Sequence, residues 1–344
     1  MRFEPSRVEG NYLRDILAQP RALADTIAAL ALAPAPPPLA GGLDRVVLTG
    51  MGASYHALHP LLIQLVVHGF PAVAHETSEL IHYYPAALTP HTLLVAVSQS
   101  GRSVEIVRLL DLAAGRVPTI AVTNTPGSDL AVRADLTVLT HAGMESSVSC
   151  KTFVTTLVAL EWLGAQLCDA DRRRIESTIR EAATAAQDYL DEWQTKVSSL
   201  IDLLDGVRLL FLTGRGASLA AVGTGGLILK ESAHFHAEGM TCSAFRHGPF
   251  ELIGPDALVL VFEGDAKTAA LNERLVRDVR DAGGRACLVG PQSDVEVFRI
   301  PDAAPPVRPV LEMLPVQLVS LALAARAGIE PGRFERLTKV TTIE

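Results

Sequence analysis

Apolar and polar positions follow two different periods along this chain. Residues 12–32 repeat apolar side chains every three to four positions, which predicts helix, and Pro20 fits the first turn of a second helix. A linker rich in proline and glycine follows at 34–42. Residues 45–49 are then apolar without a break, the pattern of a strand buried on both faces of a parallel sheet. Further strands are expected at 72–75, 93–97, 118–123 and 136–139, with helices at 55–68, 103–114 and 151–167. Residues 170–204 read as charged helix joining two domains. The pattern then restarts, with strands at 208–212, 257–262 and 285–289 and helices at 220–233, 269–282 and 311–327. Residues 334–344 are polar and carry no helical stripe. Strands alternating with helices predict an α/β fold of doubly wound, mostly parallel sheets flanked by helices.

The restart is a repeat in sequence as well as in pattern. R-V-V-L-T-G-M-G-A-S comes back as R-L-L-F-L-T-G-R-G-A-S, and the interval from Gly50 to Ser98 equals that from Gly214 to Phe262. A repeat of that size implies two copies of one fold. The expected layout is a helical segment at 1–40, one domain at 41–175, a helical linker at 176–205, a second domain at 206–330 and a tail at 331–344.

Composition narrows the class. The chain has 344 residues, 49% of them apolar and 20% charged, enough to bury two cores. A net charge of -8 argues against a general nucleic-acid or anionic-membrane binder, which needs a basic face. It leaves room for a local anion site built from backbone N–H groups and hydroxyls. The four cysteines, Cys150, Cys168, Cys242 and Cys287, are scattered and read as core residues of a reducing compartment. The start is polar, so no signal peptide is expected, and runs such as 58–74 are broken by His, Gly and Pro. A cytoplasmic protein is expected.

The repeat matters most where it breaks. The first copy has S-Q-S-G-R-S at its second strand end, and the later copy has F-E-G-D-A-K. Three hydroxyls, an amide and free N–H groups at a strand-to-helix turn form an anion cradle, whereas Glu263 and Asp265 would repel an anion. A phosphate is therefore expected in the first half only, on Ser54, Ser98, Gln99, Ser100 and Ser103. The competing reading is that Ser98 and Ser103 only cap the helix. A dinucleotide site is disfavoured, because Tyr55 and Leu219 stand where the third glycine of G-x-G-x-x-G belongs. There is no G-x-x-x-x-G-K-[ST] for nucleotide hydrolysis. His234 and His236 do not share a helix face and have no third ligand in sensible spacing, so no metal and no cofactor are expected, and both are read as partly buried, hydrogen-bonded side chains.

Between 211 and 253 the chain packs Glu231, Glu238, His247 and Glu251 between apolar elements, with a loop expected before the strand at 257. Sugar-phosphate isomerisation without a metal needs a carboxylate to move a proton between adjacent carbons and an acid or base to open the ring. A lysine can activate the carbonyl as a Schiff base. Read alone, Glu231 is equally a solvated helix residue and Lys339 an ordinary tail lysine.

Eight pieces in fixed order carry a resemblance. They are Y-L-R-D-I-L-A-Q-P, G-M-G-A-S-Y-H-A, S-Q-S-G, S-V-S-C-K-T-F, G-R-G-A-S, L-K-E-S-A-H-F-H-A-E, R-H-G-P-F-E-L-I and L-T-K-V-T-T-I-E. The chain resembles two tandem sugar isomerase (SIS) domains, arranged as in the isomerase half of glucosamine-6-phosphate synthases. The resemblance implies phosphate binding by Ser54 and the 98–103 turn, with Gly52 and Val148 also at the sugar. It implies that Glu231 moves a proton between C1 and C2, that His247 assists ring opening from a neighbouring subunit, and that Lys339 reaches the open-chain sugar. A homodimer with shared active sites is implied, with no nucleic-acid or membrane partner. Three departures stand out. The glutaminase domain of the synthases is not expected here, since Met1-Arg2 leads straight into the isomerase-like region. Ile228 takes the place of a lysine one turn before the L-K-E glutamate, and S-V-S-C-K is one residue tighter than its counterpart. The expected activity is that of an amino-sugar-phosphate isomerase and deaminase, such as one taking glucosamine 6-phosphate to fructose 6-phosphate and ammonia. The alternatives are a deglycase of fructosamine phosphates, a plain aldose–ketose isomerase, and a sugar-phosphate sensor without turnover.

Overall fold

The computed structural model describes residues 8–34, 36, 39, 42–336 and 338–339. Residues 1–7 of the helical segment, part of the linker and residues 340–344 of the tail lie outside the described residues. The first half of the chain runs α1 (Asn11–Leu17), α2 (Gln19–Leu32), β1 (Arg45–Gly50), α3 (Ala53–His56), α4 (Leu58–Val67), β2 (Ala72–Glu76), α5 (Thr77–Tyr83), β3 (Thr92–Val97), α6 (Val104–Ala113), β4 (Thr119–Thr123), α7 (Asp129–Arg133), β5 (Leu136–Leu139) and α8 (Lys151–Leu167). The second half runs α9 (Arg172–Asp191), α10 (Trp193–Leu203), β6 (Leu209–Gly214), α11 (Leu219–Ala233), β7 (Ala237–Thr241), α12 (Cys242–Arg246), β8 (Ala257–Phe262), α13 (Ala269–Asp281), β9 (Arg285–Val289) and α14 (Arg308–Ala327). Two parallel sheets result, ordered β2-β1-β3-β4-β5 and β7-β6-β8-β9. By contact the chain divides into two units. One holds the first sheet and comprises Arg21–Glu145, Lys151–Glu181 and Arg336–Glu344; the other holds the second sheet and comprises Met1–Pro20, Ser146–Cys150 and Ala182–Glu335.

In the first-sheet unit, β3 is Thr-Leu-Leu-Val-Ala-Val and every residue is buried, as a central parallel strand requires. Its register against β1 pairs Val47 with Leu94 and Thr49 with Ala96. Helix α6 turns Ile106, Leu109, Leu110 and Ala113 onto that sheet, an i, i+3, i+4, i+7 stripe that packs on Val47, Leu94 and Ala96.

In the second-sheet unit, α13 does the same with Leu275, Val276 and Val279 against Phe211, Val259 and Val261. Helix α14 alone is long and apolar enough to cross a membrane among the described residues, but 83% of its apolar window is buried inside the protein. Two expectations need correction here. The segment expected as a loop before β8 holds β7 and α12. Strand β7 is hard to read because it is Ala-Glu-Gly-Met-Thr, with a glycine in mid-strand and no β-branched residue before Thr241. Packing dictates that glycine. A Cβ on Gly239 would lie 2.1 Å from the carbonyl oxygen of Val222, and one on Gly226 would lie 2.6 Å from the Gly239 nitrogen. Helix α11 thus rests backbone to backbone on β7. The two histidines are also not buried. His234 is exposed and adopts φ 50° as the left-handed residue ending α11. His236 is exposed, with Nε2 3.4 Å from Glu238 Oε1.

Candidate functional site

Strand order in the first sheet reverses at β1 and β3, which lie side by side with β2 and β4 outside them. Open parallel sheets bind ligands outside the carboxyl ends of the strands at such a point. A cavity of about 130 Å³ sits there. It has room for an oxyanion of phosphate size. Its polar wall is Ser54, Ser98, Gln99, Ser100, Ser103 and Lys339, and Met51, Val97 and Ile106 complete it. Gly52, with φ 52°, precedes α3 in the turn that presents Ser54.

The turn after β3 is held rigidly. Ser98 Oγ accepts from the Gly101 N–H at 3.1 Å, and Ser100 Oγ from the Arg102 N–H at 3.3 Å. The Gln99 carbonyl accepts from the hydroxyls of Thr123 and Thr125 and from the Asn124 N–H, which ties the turn to the end of β4. Gly101 has φ 61°, and a Cβ there would meet Ser128 Oγ at 2.2 Å, so only glycine fits. Ser103 stands at the N-cap of α6, yet its side chain makes no capping bond. The helix therefore presents uncapped N–H groups and the positive end of its dipole. Capping does not account for Ser103, which lines the cavity instead.

Lys339 brings the positive charge. Its Nζ lies 2.7 Å from Glu145 Oε2, and its side chain is 24% exposed while that of Glu145 is fully buried. Glu145 accepts the backbone N–H of Thr152, in the first turn of α8, at 3.0 Å, and the Thr152 hydroxyl bonds its other oxygen. Glu145 escaped the sequence reading. It is a single acid in a run of small polar residues, and nothing in that pattern marks it as buried or paired.

A larger cavity, about 530 Å³, opens in the same unit at the start of β4, lined by Pro90, Ala113, Arg116, Pro118, Arg133 and Asp135. It lies at the amino end of the strand, away from the switch point. Its cations are engaged: Arg133 pairs with Asp111 at 2.7 Å, and Arg116 donates to the Leu112 carbonyl. Chemistry rather than volume favours the smaller cavity.

The remaining predicted residues belong to the second-sheet unit. Glu231 is half-buried near the end of α11, and Ile228, one turn earlier, is fully buried. The residue after Glu231 is anchored through its backbone. The Ser232 carbonyl accepts the Gly332 N–H at 2.9 Å, and the Gly332 carbonyl accepts the Ser147 hydroxyl at 2.6 Å. Tyr12 bonds the Ser320 hydroxyl at 3.2 Å, and burial pushes its phenol far above the ordinary range. A Cβ on Gly332 would lie 2.4 Å from Ser147 Oγ and 2.7 Å from Tyr12 Cβ, so this layer has no spare room. His247 is exposed and follows α12, whose N-terminus Thr241 caps by accepting the Ala244 N–H at 3.0 Å. Val148 is buried. The structure thus gathers Ser54, Ser98, Gln99, Ser100, Ser103 and Lys339 into one cavity, with Gly52 in the adjoining turn, and places Glu231, His247 and Val148 in the other unit.

Known proteins share these features. Residues 43–165 match the SIS domain family. The chain is 33% identical to glutamine–fructose-6-phosphate aminotransferase (isomerizing) of Pyrococcus horikoshii, over 96% of this chain and 57% of the relative. It is 28% identical to the enzyme of the same name from Thermococcus kodakarensis, over 96% and 58%. The chain therefore spans less than two thirds of these relatives. Among solved structures, the C-terminal domain of glucosamine-fructose-6-phosphate aminotransferase from Francisella tularensis superposes with TM-score 0.81 at 21% identity, over 99% of this chain and all of that one. Glucosamine-6-phosphate deaminase from Thermotoga maritima gives TM-score 0.81 at 20% identity, over 97% and 100%. The serine turn at the switch point of the first sheet thus lies within the stretch that matches the SIS domain.

Proposed function

We propose that this chain isomerises a phosphorylated amino sugar and releases its nitrogen, as in the conversion of glucosamine 6-phosphate and water to fructose 6-phosphate and ammonia. One observation carries the reading: an ammonium and four serines share a single cavity of oxyanion size at a topological switch point. The serine hydroxyls and the N–H groups opening α6 hold the phosphate. Lys339 faces the sugar. Ring opening gives the aldehyde, with His247 as acid and base. Glu231 takes the proton from C2 and returns it to C1, so that the 2-amine becomes a ketimine. Water adds to that imine, and ammonia leaves. The names of the relatives support this substrate class, since they join a ketose phosphate to an amine nitrogen. We also read the second sheet as a second SIS domain, because its order repeats the first four strands of the other, and we read exposed His247 as serving a partner subunit in a homodimer.

Ammonia and ketose release from glucosamine 6-phosphate tests this directly. Substitution of Glu231 by Gln should cut turnover by about a thousandfold, the scale of one positioned proton carrier. No release from any hexosamine phosphate would reject the reading. Turnover of plain hexose phosphates alone would make the chain an aldose–ketose isomerase, and turnover of fructosamine phosphates a deglycase. A second reading, a sensor that binds without turnover, is favoured by buried Ile228, which cannot move a proton. In a sensor, Glu231→Gln would leave ligand affinity unchanged and there would be no turnover to lose.

A further inference from the structure

We propose that Glu145 is the positioning residue for Lys339: it clamps the ammonium at the serine cavity and takes its proton when the amine adds to a sugar carbonyl. The proposal rests on the phosphosugar reading above and adds a group that the sequence did not single out. Three observations carry it. The two charges are 2.7 Å apart, with the carboxylate side chain fully buried. The carboxylate cannot swing away, because Thr152 holds both of its oxygens, one through the backbone N–H and one through the hydroxyl. Lys339 is at the same time part of the cavity wall, alongside Ser54 and Ser98.

The clamp poses a chemical problem that the same residue solves. An ammonium whose protons are engaged by a carboxylate has no lone pair to offer and is not a nucleophile. It suits the arriving phosphate, but Schiff-base formation requires the free amine. Glu145 is the nearest base. It takes one proton from the ammonium, leaving a neutral amine and a neutral carboxyl. The nitrogen lone pair attacks the carbonyl carbon, and a nitrogen proton moves to the oxygen to give a carbinolamine. The Glu145 proton returns to that hydroxyl, the C–O bond breaks, water leaves, and a protonated imine remains opposite a restored carboxylate. Protons and charge balance without any outside reagent.

Glu145→Gln is the test variant, since an amide of the same shape can accept the Thr152 N–H and donate to the Thr152 hydroxyl. Its melting temperature should stay close to wild type, and its affinity for inorganic phosphate should fall by no more than a few fold, since the serine turn is untouched. Three other readouts should move. Borohydride trapping of fructose 6-phosphate on Lys339, located by peptide mass spectrometry, should fall at least tenfold. Turnover should fall about a hundredfold with little change in KM, the scale of a lost proton acceptor. Reductive methylation of Lys339, measured without any substrate, should speed up several-fold, because the amine is no longer held against a buried carboxylate. Glu145→Asp should restore part of the trapping. Wild-type trapping and turnover in Glu145→Gln would overturn the proposal, and so would equal methylation rates or a loss of phosphate affinity as large as the loss of turnover. If the wild-type protein turns over no phosphosugar yet the methylation contrast holds, the clamp stands and the functional reading falls.

Discussion

The two sheets end in turns of the same make, but the polar groups of the first line a cavity, while those described at the second bond one another. After β1 the chain reads Gly-Met-Gly-Ala-Ser and after β6 Gly-Arg-Gly-Ala-Ser, yet Ser54 lines a cavity while Ser218 is buried and donates to Glu312 Oε1 at 2.7 Å. After β3 the serines bond their own turn and leave it open on one side. After β8 the polar groups bond each other. Asn272 donates to the carbonyls of Phe262 and Glu263, Glu263 accepts the Gln292 N–H, and Arg215 donates to Asn272 and Ser243. Equal strand order does not make equal sites. What differs is whether the side chains at the strand ends line a cavity or bond one another.

The harshest test of this contrast is Gly101→Ala. The added methyl has no room beside Ser128 Oγ and sits at φ 61°, so the turn must move. A cost of about 2 kcal/mol is expected, with phosphate affinity lost by more than tenfold. Calorimetric titration with inorganic phosphate reads the affinity, and urea unfolding reads the stability. Phosphate binding at wild-type strength would mean that the anion sits elsewhere.

Glu312 sharpens the other side. Burial is the main cause that raises its carboxyl from the ordinary value to about 7, with the Ser218 hydrogen bond and Arg308 opposing. The neutral form is thus favoured in the folded state. The stabilisation is fully present below pH 4.5 and is lost as pH rises through about 7, at most about 3 kcal/mol. Glu312→Gln, which keeps an oxygen for Ser218, should remove that slope and leave the variant more stable than wild type at pH 8. Urea midpoints at pH 5 and pH 8 check it; a wild-type protein more stable at pH 8 would contradict the assignment. The first-sheet unit holds a partner case in Glu161, also raised to about 7 by burial.

Much of this was legible from the sequence, and the gaps have physical causes. Central strands announce themselves because both faces are buried, so β3, β8 and β9 fall within a residue of where apolar runs placed them. The grouping of the serines in one turn was legible because they are local: four of the cavity's polar residues fall within six consecutive positions. Edge strand β7 was not, since contact with α11 demands glycine where a strand pattern wants a β-branched residue. The exposure of His234 was missed because a left-handed helix end depends on backbone geometry, which residue type alone does not reveal. Glu145 depends on contacts with Thr152, seven residues away, and Lys339, almost two hundred residues away, and no local pattern records the second of them.

Ser98→Ala is a smaller step. It removes the oxygen that accepts the Gly101 N–H without adding bulk. About 1 kcal/mol of the turn's order is at stake, and phosphate affinity should fall about fivefold. The same change at Ser218 should leave phosphate binding alone and act through Glu312 on stability. If Ser218→Ala weakened phosphate as much as Ser98→Ala, the asymmetry between the two turns would be lost.

The gentlest test is Arg215→Met, which gives the second turn the residue that the first turn has at Met51. Arg215 is only half-buried, and its hydrogen bonds to Asn272 and Ser243 are both 3.1 Å. Partly solvated contacts of this kind are worth about 0.5–1 kcal/mol, so a small drop in unfolding midpoint is expected. Phosphate affinity should not change if the anion binds at the other turn, as proposed. Nor should the variant acquire a second phosphate site, since Glu263 and Asp265 remain and repel an anion. A titration that fitted two phosphates after this single change would show that Arg215 alone kept the second turn closed, and the acids would then lose the role given to them here.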